Sequence, residues 1–190
     1  MDKQNLIKRI MADPQNASYT ARNIKPVFQI GSKVKLLIIS QAPGLKVEQS
    51  GIVFTDKSGD RLRDWLGINS QTFYKSGLIG VLPMDAYYPG KAKTGDLPPR
   101  KEFAPKWHPQ ILSMMPDIQM TLLIGNYAQK FYLKDSKTLT QRVEDFEQYL
   151  PKYFPLPHPS PLNNIWLKKN PWFESDVIPN LKNEVSRILK

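Results

Sequence analysis

The sequence predicts an α/β fold, a three-layer α/β/α sandwich with a short, mostly parallel four-stranded central sheet. Apolar runs of strand length alternate with segments whose apolar residues have helical spacing, which is typical of this class. The 190 residues are 41% hydrophobic and 23% charged, a composition sufficient for one buried core. We therefore expect a single domain over residues 1–190, with residues 1–33 as a helical N-terminal extension packed on it.

Four apolar runs are the predicted strands, and they lie at residues 34–40, 78–83, 119–124 and 153–156. The first three are continuously apolar, as parallel strands buried on both faces are. The fourth is short and contains Pro155, which lacks a backbone N–H donor. Predicted helices lie between and around the strands, at residues 5–11, 59–66, 105–115, 126–133, 138–150 and 175–189.

Composition and charge limit the possible functions. The chain has no cysteine, which excludes disulfides, thiolate zinc sites, cysteine nucleophiles and cysteine-ligated iron–sulfur clusters. Lys and Arg number 27 against 17 Asp and Glu, a net charge of +10, so nucleic acid is the first candidate partner and a solvated basic surface the alternative. With no signal peptide or membrane-spanning stretch visible, we expect a monomeric cytoplasmic protein with no membrane partner, metal or other cofactor.

A polar loop containing Pro or Gly follows each predicted strand, at residues 41–44, 84–90, 125–129 and 157–164. The carboxyl ends of parallel strands meet at one edge of a sheet, and ligands bind outside that edge. We therefore predict that these loops converge on one site. No P-loop, G-x-G-x-x-G, G-x-S-x-G or H-E-x-x-H motif is present, which disfavours nucleotide hydrolases, dehydrogenases, esterases and zincins.

His158 is one of two histidines, and it lies between Pro157 and Pro159, where the backbone has little freedom. A histidine held at a strand end can donate a hydrogen bond to a developing oxyanion. The alternative is a surface histidine in a turn. The other histidine, His108, follows Trp107 in a predicted helix, and we interpret it as structural.

Gln41, Phe54 and three acids lie in or beside the predicted loops. Gln41 precedes a Pro-Gly turn and can hydrogen-bond a base or a water, although tight loops after strands are common. Phe54 can stack on a planar ligand or pack in the core. Asp56, Asp60 or Asp85 could supply a carboxylate that positions a hydrolytic water. Asp56 could equally cap a helix, and Asp85 could be a turn residue.

Trp166 and Trp172 flank Lys168 and Lys169 just after the His158 loop. Aromatic residues interleaved with lysines suit a nucleic-acid surface, on which rings stack with bases and lysines pair with phosphates. The alternative is that the tryptophans pack inward and only the lysines are solvated.

Together these segments resemble the uracil-DNA glycosylase superfamily. H-P-S-P-L at residues 158–162 follows the last strand, and Q-A-P-G at residues 41–44 is similar to the G-Q-D-P-Y-H or G-E-A-P-G segment of that superfamily. Residues 51–62 resemble its Phe-containing segment, and residues 123–129 (L-I-G-N-Y-A-Q) resemble its third-strand segment, L-x-G-x-x-A-Q. The resemblance spans residues 34–189, and the order of the motifs makes it specific.

The resemblance implies a role for each matching residue. His158 would contact the base carbonyl and stabilise the anionic leaving group, while Leu162 would fill the hole left by the flipped nucleotide. Phe54 would stack on the extruded base, and Gln41 would line the pocket near the sugar and water. The residues assigned to base binding are Phe54, Ala42, Gly44, Asp85 and Asn126. Those assigned to DNA binding are Ser160, Pro161, Leu162, Asn163, Lys168 and Lys169.

The chain departs from the family pattern at positions that matter for mechanism. Ala42 stands where members with G-Q-D-P-Y-H have an Asp that assists the water, so the carboxylate must come from elsewhere. Asp56 is the first choice. The Asn that reads uracil at the second strand in several branches falls near Gly80 or Val81. One branch binds an iron–sulfur cluster through four cysteines, which this chain lacks.

We therefore predict a monofunctional DNA glycosylase, with His158, Asp56 and Gln41 as its catalytic residues. It would flip a damaged or deaminated base, uracil first, out of single- or double-stranded DNA and hydrolyse the N-glycosidic bond. Three alternatives stay open. They are a glycosylase for hypoxanthine, xanthine or a modified cytosine, a catalytically inactive DNA- or lesion-binding module, and an α/β enzyme acting on small nucleosides.

Overall fold

One sheet of four strands lies at the centre of the protein, in a computed structural model that describes residues 2–190. The strands are β1 (Leu36–Ser40), β2 (Ile79–Pro83), β3 (Met120–Ile124) and β4 (Tyr153–Leu156). Every pairing between them is parallel, and their spatial order is β2–β1–β3–β4. The predicted strands are confirmed, each beginning within two residues of its predicted start.

The strand order creates a switch point between β1 and β3. The chain first adds β2 to one side of β1, then crosses to the other side, where β3 and β4 follow. In open parallel sheets, ligands bind outside the carboxyl ends of the strands at such a point. Those ends are Ser40 and Pro83, which are partners in register, and Ile124 and Leu156, which are also partners.

Ten α-helices surround the sheet in the described part of the chain. They are α1 (Lys3–Ala12), α2 (Ala17–Thr20), α3 (Leu45–Ser50), α4 (Lys57–Leu66), α5 (Ser70–Lys75), α6 (Phe103–Leu112), α7 (Gly125–Leu133), α8 (Leu139–Glu144), α9 (Asn164–Lys169) and α10 (Ile178–Ile188). Every helix predicted from the sequence has a counterpart among them, although α6 begins and ends earlier than residues 105–115.

Two predicted helices differ in detail from the structure. Residues 138–150 form α8 and then a separate 3₁₀ turn, Phe146–Tyr149, instead of one helix. Residues 175–189 begin inside a π-helical turn, Phe173–Val177, that runs into α10. Helices α2, α3, α5 and α9 were not predicted, because each has only four to six residues, too few for a periodic apolar pattern.

Apolar cores lie on both faces of the sheet, which confirms the three-layer architecture. On one face, Leu36 and Ile38 of β1 pack with buried residues of α4, α5, α8 and α10. On the other face, Leu37 and Ile39 pack with residues of α1, α2, α6 and α7. Successive strand residues point to opposite faces, so a strand buried on both sides must be apolar throughout.

The N-terminal helix contributes to the second core. Leu6 and Ile10 of α1 are fully buried there. Just after α1, the carboxylate of Asp13 accepts a hydrogen bond from the Trp107 indole at 3.1 Å and pairs with Lys106 at 2.7 Å. These contacts fasten the start of the chain to α6. No helix among residues 2–190 combines the length and apolar content that crossing a bilayer requires.

Candidate active site

A cleft of about 430 Å³ opens at the carboxyl edge of the sheet. Loops after β1, β2 and β4 and the first turn of α7, which follows β3 directly, contribute to its lining, together with the segment between α3 and α4. Nine residues singled out in the sequence line it: Gln41, Ala42, Gly44, Phe54, Asp56, His158, Ser160, Leu162 and Asn163. The lining does not include Asp85, Asn126, Pro161, Lys168 or Lys169. No group of three or more His, Asp or Glu residues within 2–190 is arranged to hold a metal ion.

His158 follows β4 and lies half-buried in the cleft wall. Its Nδ1 accepts a hydrogen bond from the backbone N–H of Ser160 at 3.1 Å, so the proton of the neutral ring is on Nε2. Burial lowers the pKa of His158, and the charge of Asp56 opposes this shift only in part. The ring is therefore neutral at pH 7. No residue within 2–190 hydrogen-bonds its Nε2–H, which is left for a ligand.

Gln41, directly after β1, lies against the start of α7. Gly125 has a φ of +81°, and a Cβ at this position would come within 3.2 Å of the Gln41 Nε2. Glycine therefore suits both the backbone conformation and the space that Gln41 occupies. The side-chain amide of Gln41 has no hydrogen-bond partner within the described residues, so it is free to bind a ligand.

The turn that carries Phe54 is strained and firmly held. Phe54 has a φ of +53°, a left-handed conformation that costs a bulky residue about 1–3 kcal/mol. Its carbonyl oxygen accepts hydrogen bonds from Arg63 at 3.1 Å and from the Tyr74 hydroxyl at 2.8 Å. A Cβ on Gly59 would overlap that oxygen, so the turn packs directly on the α4 backbone. The Phe54 ring is largely buried but contributes to the cleft lining.

Asp56 caps α4 and also lines the cleft. Its Oδ1 accepts a hydrogen bond from the backbone N–H of Gly59 at 3.1 Å. Its second carboxylate oxygen has no partner among residues 2–190. One side chain thus combines the two possibilities that the sequence left open, a helix cap and a cleft carboxylate. The cap fixes the position of the carboxylate near His158.

The cleft and its loops fall inside a region that matches a known family. The model of the uracil DNA glycosylase superfamily matches residues 28–182, which include every residue that lines the cleft. This chain belongs to the uracil DNA glycosylase superfamily. The chain is also similar to a Methanosarcina acetivorans protein, provisionally assigned as a uracil DNA glycosylase and solved by solution NMR. The two share 14% sequence identity over 84% of this chain and 98% of that chain, with a TM-score of 0.49.

Two acids considered for catalysis in this superfamily member have other partners. Asp85 is fully buried, and its carboxylate accepts hydrogen bonds from Arg100 Nε at 2.7 Å and Nη2 at 2.8 Å. Asp60 is exposed and pairs with Arg63 at 2.6 Å. Neither lines the cleft. Asp85, which the sequence analysis assigned to base binding, is thus held by Arg100 and lies outside the cleft lining.

The position of Asn126 also requires a correction. Asn126 is exposed and does not line the cleft, whereas the next residue, Tyr127, does. Both belong to the first turn of α7, where consecutive side chains point about 100° apart, and it is the Tyr127 side that faces the cleft. Tyr127 is thus a cleft-lining residue that the sequence analysis did not single out.

The proposed DNA-binding residues outside the cleft lie on the surface of this superfamily member. Pro161, Lys168 and Lys169 are exposed in the segment that follows the His158 loop. Trp166, by contrast, packs inward. Its Nε1 donates a hydrogen bond to Thr140 at 2.9 Å, and its ring meets that of Trp172 edge-on at 5.8 Å. Both tryptophans are partly buried against the core, as the inward alternative expected, whereas Lys168 and Lys169 are exposed.

The loop after β2 reaches further into the site than the sequence analysis predicted. Residues 88–98 fold back on themselves, with the backbone N–H of Leu97 donating to the Gly90 carbonyl at 2.9 Å. Asp96 in this loop lines the cleft and accepts a hydrogen bond from the Tyr88 hydroxyl at 3.2 Å. The signal that could have found it is an acid within the Gly- and Pro-containing stretch that continues past residue 90.

Two buried side chains hold the strand ends beneath the cleft. His108 Nε2 donates to the carbonyl of Pro83 at 3.0 Å, and its Nδ1 accepts from the Tyr132 hydroxyl at 2.6 Å. Burial lowers the pKa of His108 to about 4, so it is neutral. Gln129 donates from Nε2 to carbonyls of both β3 and β4, at 3.2 and 3.0 Å. The structural interpretation of His108 is consistent with these contacts.

Proposed function

We propose that this chain is a monofunctional DNA glycosylase that flips a damaged or deaminated base into the cleft and hydrolyses its N-glycosidic bond. Uracil is the first expected base. The observation that carries the proposal is the neutral His158 in the cleft wall, with Nδ1 occupied by Ser160 and Nε2–H left for a ligand. Membership of the uracil DNA glycosylase superfamily supports DNA as the substrate.

His158 stabilises the departing base. As the N-glycosidic bond breaks, the bonding electrons move to the base and negative charge develops on its carbonyl oxygen. The Nε2–H of a neutral, preoriented imidazole donates a hydrogen bond to this oxygen, as an oxyanion-hole donor does. Because the backbone N–H of Ser160 holds Nδ1, the donor is in place before the charge appears.

Asp56 acts on the sugar side of the bond. The sugar passes through an oxocarbenium-like state, which a nearby carboxylate stabilises and which an oriented water then attacks. One oxygen of Asp56 is engaged by the cap of α4, and the other remains for the water or the cation. Gln41, across the same cleft, completes the pocket with a free side-chain amide.

DNA binding and base flipping fall to the loop after β4. Leu162 is 82% exposed although it also lines the cleft, which suits a wedge that fills the gap left by a flipped nucleotide. Ser160, Pro161 and Asn163 surround it and would contact the adjacent phosphates. Lys168 and Lys169, exposed at the end of α9 after this loop, add positive charge, and the net charge of +10 favours binding to a polyanion.

The base that enters the cleft is tested with oligonucleotides that carry a single uracil, hypoxanthine, xanthine or modified cytosine. Wild-type protein should leave an abasic site in at least one of them, which alkali then cleaves. A variant such as Lys8→Ala, at an exposed position of α1 outside the cleft, is the matched control for His158→Ala. The absence of any abasic product across the panel would overturn the proposal.

A catalytically inactive DNA-binding module is the second candidate. The observation in its favour is Ala42, which leaves the Gln41–Gly44 segment without a carboxylate. This candidate predicts salt-dependent DNA binding and no abasic product for any base in the panel. An enzyme that acts on small nucleosides would not need Leu162, because its substrate has no base stack to fill. In that case Leu162→Ala would leave the activity intact.

A further inference from the structure

The exposed large apolar side chains of residues 2–190 are concentrated around the cleft. They are Leu45, Ile52, Leu97, Tyr127, Leu162 and Ile165, each between 44% and 82% exposed. Leu97, Tyr127 and Leu162 line the cleft, and the others lie within two residues of a lining residue along the chain. We call this set the apolar rim. Single exposed apolar residues are ordinary, but a group gathered around one opening marks a binding surface.

The apolar rim comes from separate parts of the fold that converge only in three dimensions. Leu45 begins α3, Ile52 precedes the Phe54 turn and Leu97 is in the loop after β2. Tyr127 is in the first turn of α7, and Ile165 is in α9. Its three cleft-lining members come from the loop after β2, from α7 and from the loop after β4, so the rim does not belong to one amphipathic helix.

Exposed lysines accompany the rim along the chain. Lys46 follows Leu45, Lys91 and Lys93 are in the loop that carries Leu97, and Lys130 is one turn after Tyr127. None of these lysines forms an ion pair with a described residue. Apolar side chains interspersed with unpaired positive charge match a ligand that has flat apolar faces on an anionic backbone.

We propose that the apolar rim binds the unstacked bases on either side of the target nucleotide, so that single-stranded DNA is the preferred substrate. This inference rests on DNA being the partner, as the proposed function states. In a duplex, neighbouring bases remain stacked and one flipped nucleotide leaves one hole, which Leu162 alone fills. The remaining rim side chains have no apolar surface to contact in a duplex, whereas a single strand offers the face of every base.

Tyr127 provides the sharpest probe, because it is the aromatic member of the rim and is 45% exposed. Stacking of one base on one aromatic side chain is worth about 5- to 150-fold in affinity by alanine substitution. Tyr127→Ala removes the ring, and Tyr127→Phe keeps it. The pair therefore separates stacking from any effect of the hydroxyl.

The experiment measures affinity for unmodified oligonucleotides roughly 20 nucleotides long by fluorescence anisotropy. The full chain is titrated with single-stranded DNA, with its duplex and with RNA of the same sequence, at two salt concentrations. Wild-type protein should bind the single strand at least about tenfold more tightly than the duplex. Tyr127→Ala should lose about 5- to 150-fold for the single strand only, and Tyr127→Phe should stay within about twofold.

Equal or tighter binding of the duplex overturns the inference, as does a preference for RNA or wild-type affinity in Tyr127→Ala. Leu45→Ser provides a second variant from another part of the rim, and thermal melting checks that each variant is folded. Because the oligonucleotides are unmodified, binding is independent of base excision. A single-strand preference without excision would refute only the glycosylase, whereas excision with a duplex preference would refute only this inference.

Discussion

The backbone N–H of Ser160 donates a hydrogen bond to Nδ1 of His158 over 3.1 Å. The side chain of Asn163 in turn donates to the His158 carbonyl at 2.7 Å. Residues two and five positions further along the chain therefore fix both the ring tautomer and the backbone that carries it. This local network turns a half-buried histidine into an oriented Nε2–H donor, and most of the predictions below depend on it.

Replacing His158 tests the proposed catalytic donor. We expect His158→Ala to lower the single-turnover excision rate about 10²- to 10³-fold, as the loss of one oxyanion donor does. Affinity for DNA should change little, because the donor acts on charge that develops only in the transition state. An unchanged excision rate would remove His158 from the mechanism.

Two substitutions at Ser160 separate its backbone from its side chain. Ser160 has a φ of −60°, which proline also adopts, so Ser160→Pro fits the backbone angle, removes the N–H donor to His158 and puts the ring Cδ against the imidazole in place of that hydrogen. Ser160→Ala keeps that donor and removes only the hydroxyl, which accepts from the Leu162 N–H. Both lose the hydroxyl, but only the proline variant frees Nδ1.

We expect Ser160→Pro to reduce the excision rate about two- to tenfold beyond the effect of Ser160→Ala, the worth of one neutral hydrogen bond. Single-turnover rates of both variants, measured on the same oligonucleotide, give the comparison. If the two variants have equal rates, the Ser160 N–H does not set the tautomer that catalysis uses.

The pH dependence of excision follows from the lowered pKa of His158. Burial favours the neutral ring, so the Nδ1 acceptor persists to a lower pH than in a free histidine. If Nδ1 were protonated, its N–H would face the backbone N–H of Ser160, and the hydrogen bond between them would be lost. The rate should therefore be constant from neutral pH down to about 6.5 and fall as the pH drops through the lowered pKa. Asp56→Asn should retain this acidic limb at its lower rate, and loss of the limb in that variant would assign it to Asp56 instead.

Asp56→Asn tests the carboxylate while retaining the helix cap, since asparagine also accepts from the Gly59 N–H. We expect a loss of about 10²- to 10⁴-fold in the excision rate, the usual range for general acid–base groups. Asp60→Asn is the matched control, because Asp60 pairs with Arg63 outside the cleft, and its rate should be that of wild type. If Asp96→Asn lowered the excision rate more than Asp56→Asn, the catalytic carboxylate would be Asp96 in the loop after β2.

His108 makes stability depend on pH. Its pKa is about 4 in the folded protein against 6.5 for the free side chain, so between these values the unfolded state binds more protons. The contribution of neutral, buried His108 to the free energy of unfolding is fully present above pH 6.5 and is lost as the pH falls towards 4. At pH 5, His108 should lower the free energy of unfolding by about 2 kcal/mol relative to pH 7.5.

Urea denaturation of wild type and His108→Gln at both pH values measures this contribution. Glutamine can still donate to the Pro83 carbonyl but does not titrate. The variant should therefore lose about 2 kcal/mol less than wild type between pH 7.5 and pH 5, whatever its stability at neutral pH. Parallel pH dependences of the two proteins would mean that the pKa of His108 is the same in the folded and unfolded states.

The strands, their convergence and the His158 loop could all be predicted from the sequence. Each depends on information carried by neighbouring residues. A strand buried on both faces is a continuous apolar run, parallel strands bring their carboxyl ends to one edge, and prolines on both sides of a histidine restrict its backbone. For the same reason, the sequence placed Phe54, Asp56 and Leu162 in segments that do line the cleft.

Which of the acids faces the cleft depends on how the chain packs in three dimensions. Asp85 and Asp56 look alike as loop carboxylates, but Arg100, fifteen residues after Asp85, takes up the buried carboxylate. Asp96 lines the cleft because the loop after β2 folds back on itself, and Tyr127 lines it because of the direction in which its side chain leaves α7. Such assignments depend on distances between side chains that are remote in sequence, and packing of the whole chain sets those distances.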